Sequence, residues 1–283
     1  GLLVAVDEEG GSVARLANAS GFTLPKYQSA QAVGSTGDPA NARAMGQTIG
    51  SYLKEYGINL DFAPVADVNT NPANTVIGKR AFSPDPAVAA QMVAAAVQGF
   101  HDAGVLCTLK HFPGHGDTAE DSHYGTATST KTWAEMQAVE IQPFAAGIAA
   151  GADVVMTAHI TTPNATQDGL PASLSYTMLT ERLRGELGFT GVICTDSLSM
   201  QAIRDHGSSA EAAVMALNAG ADILLMPASL PEAFDGVLQA VQNGTISEER
   251  LNESVRRILT LKQKAGLELD NRTPLQKALD AFR

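Results

Sequence analysis

The sequence predicts an α/β fold in which helices cover a parallel β-sheet. Short apolar runs recur along the chain, and stretches with apolar residues at three- and four-residue spacing separate them. The runs are almost continuously apolar, which is typical of parallel strands that are covered on both faces. The regular alternation of strand and helix also favours a parallel sheet.

Six strands and eight helices follow from these patterns. The predicted strands are 2–7, 59–67, 105–111, 153–160, 191–196 and 221–227. The predicted helices are 39–56, 86–103, 133–150, 177–187, 209–219, 230–243, one that begins after Ser247 and runs to about 265, and a short last one at 274–282. Ser247 is the expected N-cap of its helix, because Glu248 and Glu249 follow it and suit a first turn.

The expected architecture is a (β/α)8 TIM barrel. The 283 residues suit one barrel domain, which has eight strands and about 250 residues. Gly1 lies inside an apolar run, so we expect two further strands, and any leader or anchor, to precede residue 1. An open doubly wound sheet is the alternative, but no Gly-x-Gly-x-x-Gly segment follows a strand. Residues 1–283 are therefore expected to form a single domain.

Composition excludes several classes of protein. The formal net charge is −11 and no basic face is evident, which argues against nucleic acid and anionic membrane surfaces as partners. No apolar run in the sequence reaches membrane-spanning length. Cys107 and Cys194 both lie in apolar runs, so buried thiols are expected instead of a disulfide framework. Neither a compartment nor an oligomeric state follows from these features.

The most polar segment is 110–123, which reads Lys-His-Phe-Pro-Gly-His-Gly-Asp-Thr-Ala-Glu-Asp-Ser-His. It directly follows an apolar strand, and Pro113, Gly114 and Gly116 exclude a helix there. Dense polar groups cost stability unless each has a partner or a function. Because barrel active sites lie at the carboxyl ends of the strands, this loop is the first candidate for chemistry.

Other polar residues are also expected at strand ends: Asp7, Asp67, Lys110, His111, His159 and Asp196. Asp196 closes a strand and is well placed as a nucleophile toward an electrophilic carbon. The alternative is that Asp196 caps the next helix.

Asp121 and His123 form a second candidate pair. A carboxylate two residues from an imidazole can orient the ring and favour its protonated form, so that the ring serves as a general acid and then as a general base. A solvated loop histidine is the alternative interpretation of the same spacing.

A metal site in this loop is disfavoured. His111, His115, His123 and Asp117 are the available ligands, but their spacing matches none of the usual zinc patterns, and Lys110 adjoins them. No metal and no cofactor are therefore predicted. Arg15, Arg80 and Lys110 are suited instead to donate hydrogen bonds to the hydroxyls of a neutral polar ligand.

Together these segments resemble glycoside hydrolase family 3, and in particular its single-domain bacterial β-N-acetylglucosaminidases. The matching segments are Val-Asp-Glu-Glu-Gly-Gly at 6–11 with Arg15, Asp-Phe-Ala-Pro-Val-Ala-Asp at 61–67, Ile-Gly-Lys-Arg-Ala-Phe at 77–82, Lys-His-Phe-Pro-Gly-His-Gly at 110–116, Asp-Ser-His at 121–123, Thr-Asp-Ser-Leu-Ser-Met at 195–200 and Gly-Ala-Asp-Ile-Leu-Leu-Met at 220–226. Two positions depart from the family pattern: Ser197 stands where a second acid is common, and Ser12 where Arg is common.

The resemblance implies a (β/α)8 barrel and a role for each matched residue. It implies that Asp196 is the nucleophile and that His123, partnered by Asp121, is the acid/base. The residues that match those binding the terminal sugar are Asp7, Arg15, Arg80, Lys110 and His111. The chain ends soon after its last predicted helices, so the acid is expected from the barrel itself and not from a C-terminal domain.

The implied reaction is retaining hydrolysis of terminal non-reducing β-linked N-acetylglucosamine from cell-wall fragments or chito-oligosaccharides. Three alternatives are kept. One is a β-glucosidase or xylosidase on the same fold, and another is a sugar-binding protein on a degenerate barrel. The third is phosphorolysis, because a neutral imidazole base does not repel phosphate as a carboxylate would.

Overall fold

The computed structural model describes residues 1–118 and 127–267. Its strands in chain order are β1 (Ala5–Val6), β2 (Glu8–Gly10), β3 (Val13–Ala14), β4 (Leu60–Asp61), β5 (Leu106–Phe112), β6 (Ala127–Thr128), β7 (Val154–Thr157), β8 (Ile160–Thr161) and β9 (Val192–Thr195). Its α-helices are α1 (Ala30–Gly34), α2 (Pro39–Glu55), α3 (Pro86–Ala103), α4 (Trp133–Ala138), α5 (Ile141–Ala149), α6 (Pro163–Thr166), α7 (Gln201–Arg204), α8 (Ser209–Ala219), α9 (Leu230–Gln242) and α10 (Glu248–Lys264). Two 3₁₀ turns, Gly78–Arg80 and Ala172–Leu174, and a π-helix, Thr177–Glu186, complete the set.

The main sheet has five parallel strands in the order β1-β4-β5-β7-β9. This confirms the predicted α/β class and five of the six predicted strands. Because neighbours in the sheet follow one another along the chain and run in one direction, their carboxyl ends lie along one edge. That edge therefore gathers the side chains that follow each strand. Two small two-stranded pairs, β2-β3 and β6-β8, lie outside the main sheet.

The predicted strand at 221–227 is wrong as a continuous strand. Only a single parallel bridge joins Ile223 to Cys194 of β9. The ladder ends there because the Leu225 N–H donates to the side chain of Thr195, and the next residue, Met226, has a φ of 45°. A backbone in the left-handed region cannot continue an extended strand.

The predicted helix at 133–150 is wrong as one helix, since it divides into α4 and α5. Val139, with φ −131° and ψ −77°, separates the two. Pro143 accounts for the break, because a proline lacks an N–H and its ring clashes with the carbonyl four residues earlier, which is that of Val139. Between β8 and the π-helix lie α6 and the 3₁₀ turn Ala172–Leu174.

The remaining predicted helices in the described residues form within a residue or two of their expected ends. Ser247 caps α10 by accepting a hydrogen bond from the Arg250 N–H, as predicted. Asp38 and Asp85 cap α2 and α3, each followed by a proline at the first helical position. The predicted helix at 274–282 lies outside the described residues. Throughout the described ranges, no helix is both long and apolar enough to cross a membrane.

The main core lies between the sheet and the helices α2, α3 and α5. Buried side chains from all four elements meet there, including Leu53, Phe100, Leu109 and Phe144. Both cysteines are buried thiols, as predicted. The helices α2 and α3 approach closely because Gly99 of α3 lies against the backbone of α2.

We predict that Gly99→Ala destabilises the protein by about 2–3 kcal/mol or more, because overpacking against rigid backbone is costly. A Cβ at Gly99 would lie 2.1 Å from the Arg43 carbonyl oxygen and 2.8 Å from the Gln47 nitrogen. Urea unfolding measures the free energy of unfolding. The matched control is Gly185→Ala, whose nearest atom would be the Thr180 oxygen at 3.5 Å. A helical Gly-to-Ala change there should be neutral or stabilising, so equal losses in the two variants would contradict the packing argument.

Candidate active site

A cleft of about 420 Å³ opens at the carboxyl edge of the sheet, within the size range of small-molecule sites. It brings together every predicted site residue that the structure describes, namely Asp7, Arg15, Arg80, Lys110, His111 and Asp196. Asp121 and His123 lie outside the described residues. Sequence positions as far apart as 7 and 196 therefore meet because the parallel strands end at the same edge.

Asp196 directly follows β9 and is held by backbone contacts. Its N–H donates to the Thr157 carbonyl oxygen at 2.9 Å, and its Oδ1 accepts from the Ser197 N–H at 2.7 Å. Burial raises the pKa of this carboxyl, but the nearby His111 and His159 rings and the Ser197 N–H outweigh that effect and leave the pKa below its ordinary value. Asp196 is thus a carboxylate at neutral pH. It does not cap the next helix, because Met200 precedes α7.

Lys110 provides a buried cation at the floor of the cleft. Its side chain is 2% exposed, and its Nζ lies 2.6 Å from Asp7 Oδ1 and 2.6 Å from Glu9 Oε1. Burial lowers the pKa of Lys110, but Glu9 and Asp7 outweigh it and raise the pKa above its usual value. The ammonium therefore stays charged and joins residues that follow β1 to a residue of β5.

Glu9 is a site residue that the sequence analysis did not single out. Arg80 binds it with both arms of its guanidinium, Nε at 2.8 Å from Oε2 and Nη2 at 2.7 Å from Oε1. Burial raises the pKa of Glu9, but Lys110 and Arg80 dominate and lower it to about 2. The adjacent Glu8 points the other way and accepts from Tyr52. The available signal was charge balance, since the two cations predicted for the site, Lys110 and Arg80, need a buried anion.

Asp67 orients His111 within the cleft. His111 Nδ1 lies 2.7 Å from Asp67 Oδ2, and His111 Nε2 lies 3.3 Å from Arg80 Nη2. A guanidinium nitrogen only donates, so in the neutral ring Nε2 is the acceptor and the proton is on Nδ1, facing Asp67. Asp67 also accepts from the His115 N–H at 2.6 Å. The sequence placed Asp67 at a strand end but gave it no function.

The rim of the cleft is more accessible. Arg15 is exposed, and its backbone N–H donates to the Asp7 carbonyl oxygen at 3.1 Å. The side chain of Asp7 is 37% exposed, although it also pairs with Lys110. Arg15 and Asp7 can therefore donate and accept hydrogen bonds to a ligand at the mouth of the cleft.

The described part of the cleft does not gather a metal-ligand set. Among residues 1–118 and 127–267, His111, His115 and Asp117 do not place three donor atoms within coordinating distance of one another. His111 Nδ1 is bound by Asp67, and His115 Nδ1 lies 2.7 Å from the Thr118 hydroxyl. Asp117 pairs instead with Lys131 at 3.3 Å.

The arrangement combines an α/β sheet, a charged carboxylate at a strand end and a cluster of groups suited to hydroxyls. A fixed carboxylate in such a polar cleft is typical of enzymes that cleave glycosidic bonds. The chain belongs to glycosyl hydrolase family 3, since the pattern of that family's N terminal domain matches residues 1–261.

Two curated relatives carry the name beta-hexosaminidase. The chain is 41% identical over 254 residues to "Beta-hexosaminidase" of Stenotrophomonas maltophilia (strain K279a), covering 88% of this chain and 73% of the relative. It is 36% identical over 308 residues to "Beta-hexosaminidase A" of Pseudoalteromonas piscicida, covering 99% of this chain and 52% of that relative. The chain thus spans about half to three quarters of the length of these two proteins.

A solved structure has the same fold. It is described as a glycoside hydrolase family 3 beta-N-acetylglucosaminidase from Paenibacillus sp. str. FPU-7 and superimposes with a TM-score of 0.89 at 42% sequence identity. The match covers 98% of this chain and 55% of that one.

We predict that the protein loses stability in acid as the Glu9 carboxylate becomes protonated. Its pKa is 4.5 ordinarily and about 2 in the fold, so its contribution is complete above pH 4.5 and is lost as the pH falls toward 2. By linkage, about 1.4 kcal/mol should be lost between neutral pH and about pH 3.5. Urea unfolding of wild type and Glu9→Gln at both pH values measures this.

The variant should be less stable at neutral pH and should lose less stability in acid than wild type. Other carboxylates titrate in both proteins and cancel in the comparison. Equal acid losses in wild type and Glu9→Gln would contradict the assignment of a lowered pKa to Glu9.

Proposed function

We propose that this chain provides the catalytic part of a retaining exo-glycosidase that removes terminal non-reducing β-linked N-acetylglucosamine. Cell-wall fragments and chito-oligosaccharides are the proposed substrates. The proposal rests above all on Asp196, a charged carboxylate at a strand end that shares one cleft with Lys110, Arg80 and His111. The names of the two curated relatives and of the Paenibacillus structure support the substrate class.

The architecture that goes with this proposal is a (β/α)8 barrel formed as a single domain. Support comes from the order β1-β4-β5-β7-β9, in which each strand lies beside the one before it in the main sheet. Such an order is that of successive strands of a barrel. The cleft then occupies the face of the barrel where glycosidases and other barrel enzymes keep their active sites.

In the first step Asp196 attacks the anomeric carbon. The glycosidic C–O bond breaks, a glycosyl-enzyme ester forms, and protonated His123 gives its proton to the leaving oxygen. Asp121 orients the imidazole and stabilises its charged form, as the acid does in a catalytic triad. The lowered pKa of Asp196 supports this role because the attacking carboxyl must be ionised.

In the second step His123 accepts a proton from water, the resulting hydroxide attacks the anomeric carbon, and Asp196 leaves as a carboxylate. Two displacements at one carbon retain its configuration. If phosphate takes the place of water, the product is a sugar 1-phosphate. Phosphorolysis therefore shares the first step with hydrolysis and differs only in the acceptor.

The proposed sugar-binding residues are Asp7, Arg15, Arg80, Lys110 and His111. Three of them are cations, while Asp7, Glu9, Asp67 and Asp196 supply four carboxylates to the same region. A slight excess of negative charge favours the positive charge that develops on the sugar ring in an oxocarbenium-like transition state. Binding groups that are already paired and rigid also need little rearrangement when the sugar arrives.

We predict that the protein releases nitrophenol from the β-N-acetylglucosaminide faster than from the β-glucoside. Asp196→Ala should lower the rate by about 10³-fold or more, since removing a nucleophile disables both steps. Azide added to this variant should restore activity and give the α-glycosyl azide, because a single external displacement inverts the configuration. The matched control is Asp205→Asn, an exposed acid on the same segment, which should retain activity.

Three other outcomes would redirect the assignment. Preference for the β-glucoside would move it to the glucosidase alternative, and accumulation of a sugar 1-phosphate in phosphate buffer would move it to phosphorolysis. Equal and negligible turnover by wild type and Asp196→Ala would support a sugar-binding protein.

We predict that His123→Ala affects substrates according to their leaving groups. An unactivated disaccharide needs protonation of its leaving oxygen and should lose about 10²–10⁴-fold in rate. A dinitrophenyl glycoside needs little protonation and should retain much of its first step. Rapid quench with both substrates separates the two cases, with His206→Ala as a control. Equal losses on both substrates would exclude His123 as the general acid.

A further inference from the structure

We propose that His101, Cys107 and Asp153 form a binding site for a divalent metal ion of the zinc type, at the amino edge of the sheet. Among residues 1–118 and 127–267, they are the group that places three metal-ligating atoms close together. No spacing motif marks these positions, which explains why the sequence did not suggest them. This inference does not depend on the proposed glycosidase activity.

The three residues come from three neighbouring elements. His101 lies in the last turn of α3, Cys107 is the second residue of β5, and Asp153 directly precedes β7. The site is therefore at the beginnings of β5 and β7, whereas Asp196 follows the end of β9. An ion bound there would clamp α3, β5 and β7 together without touching the cleft at the other edge.

The distances fit tetrahedral zinc with small adjustments. His101 Nε2 lies 2.9 Å from Asp153 Oδ2, and Cys107 Sγ lies 3.9 Å from that nitrogen and 3.7 Å from that oxygen. Usual zinc bond lengths at tetrahedral angles require separations of about 3.4, 3.6 and 3.6 Å respectively. Each pair of atoms therefore has to move by about 0.5 Å or less.

The chemistry of the donors also suits such an ion. Imidazole, thiolate and carboxylate are all zinc ligands, and three protein ligands leave a fourth position for water. When Cys107 coordinates, its S–H bond breaks, the proton passes to solvent and a sulfur–metal bond forms. A dication with one thiolate and one carboxylate has no net charge, so burying it costs less than burying either anion alone.

Lys264 supplies a positive charge beside Asp153. Its ammonium forms an ion pair with Asp153 Oδ1, and the same carboxylate accepts the Cys107 N–H at 3.0 Å through Oδ2. Lys264 is half exposed, so it can swing into solvent when an ion enters. A cleft of about 460 Å³, lined by Gly151, Asp153 and Lys264, gives access from that side.

Cobalt(II) titration of chelator-treated full-length protein tests the proposal. A cysteine ligand gives a sulfur-to-cobalt charge-transfer band in the near ultraviolet, which histidine and carboxylate ligands at the other edge cannot produce. Wild type should show this band, zinc should abolish it by competition, and zinc should raise Tm by a few degrees at a concentration well above its Kd.

Four variants locate the site. Cys107→Ser and His101→Ala should lose the band and the zinc-dependent rise in Tm, while circular dichroism checks that they remain folded. Cys194→Ser is the matched control and should keep both, because Cys194 is the other cysteine of the chain. Lys264→Met removes the competing cation and should bind cobalt about tenfold more tightly. Glycosidase activity should be unchanged in Cys107→Ser, since Cys107 does not line the cleft.

Either of two results would overturn the proposal. One is the absence of a charge-transfer band in both wild type and Lys264→Met. The other is a band that survives in Cys107→Ser, which would assign the sulfur ligand to Cys194.

Discussion

The candidate site depends on one buried cation, Lys110. Its ammonium is almost completely removed from water, which costs several kcal/mol unless the charge is paired. Asp7 and Glu9 supply that pairing at 2.6 Å each. Since Lys110 belongs to β5 and both acids follow β1, the contact links two strands that are separated by β4 at the carboxyl edge of the sheet.

The rest of the network extends outward from this contact. Burial disfavours the charged form of Glu9, but Lys110 and Arg80 outweigh that cost, so Glu9 stays ionised. Its carboxylate oxygens accept from Nε and Nη2 of Arg80. Arg80 in turn donates toward His111, whose other nitrogen faces Asp67. Glu9 serves both Lys110 and Arg80, so its removal leaves buried positive charge undercompensated, and breaking a buried ion pair typically costs about 3–5 kcal/mol. The groups therefore position one another before a ligand binds.

Sequence patterns predicted the class of fold and most of the cleft because apolar periodicity and strand-end polarity are local signals. They identified Asp196 and Lys110 in this way. They missed what depends on contacts across the sheet, such as the pairing of Glu9 with Arg80, the end of the ladder at Met226, and the convergence of His101 with Asp153. Pro143 was a local signal for the break after α4, but the apolar pattern on both sides of it favoured one continuous helix.

The two edges of the sheet use buried charge differently. At the carboxyl edge the cations Lys110 and Arg80 each have a carboxylate oxygen within 3 Å. Among the described residues, the hydrogen-bond donor to the Asp196 carboxylate is the backbone N–H of Ser197. The Asp196 carboxylate is thus left available to a ligand in the cleft. At the amino edge Asp153 is contacted by His101, Lys264 and the Cys107 N–H. That carboxylate therefore joins secondary-structure elements, whereas the Asp196 carboxylate, at the opposite end of the parallel strands, lines the cleft.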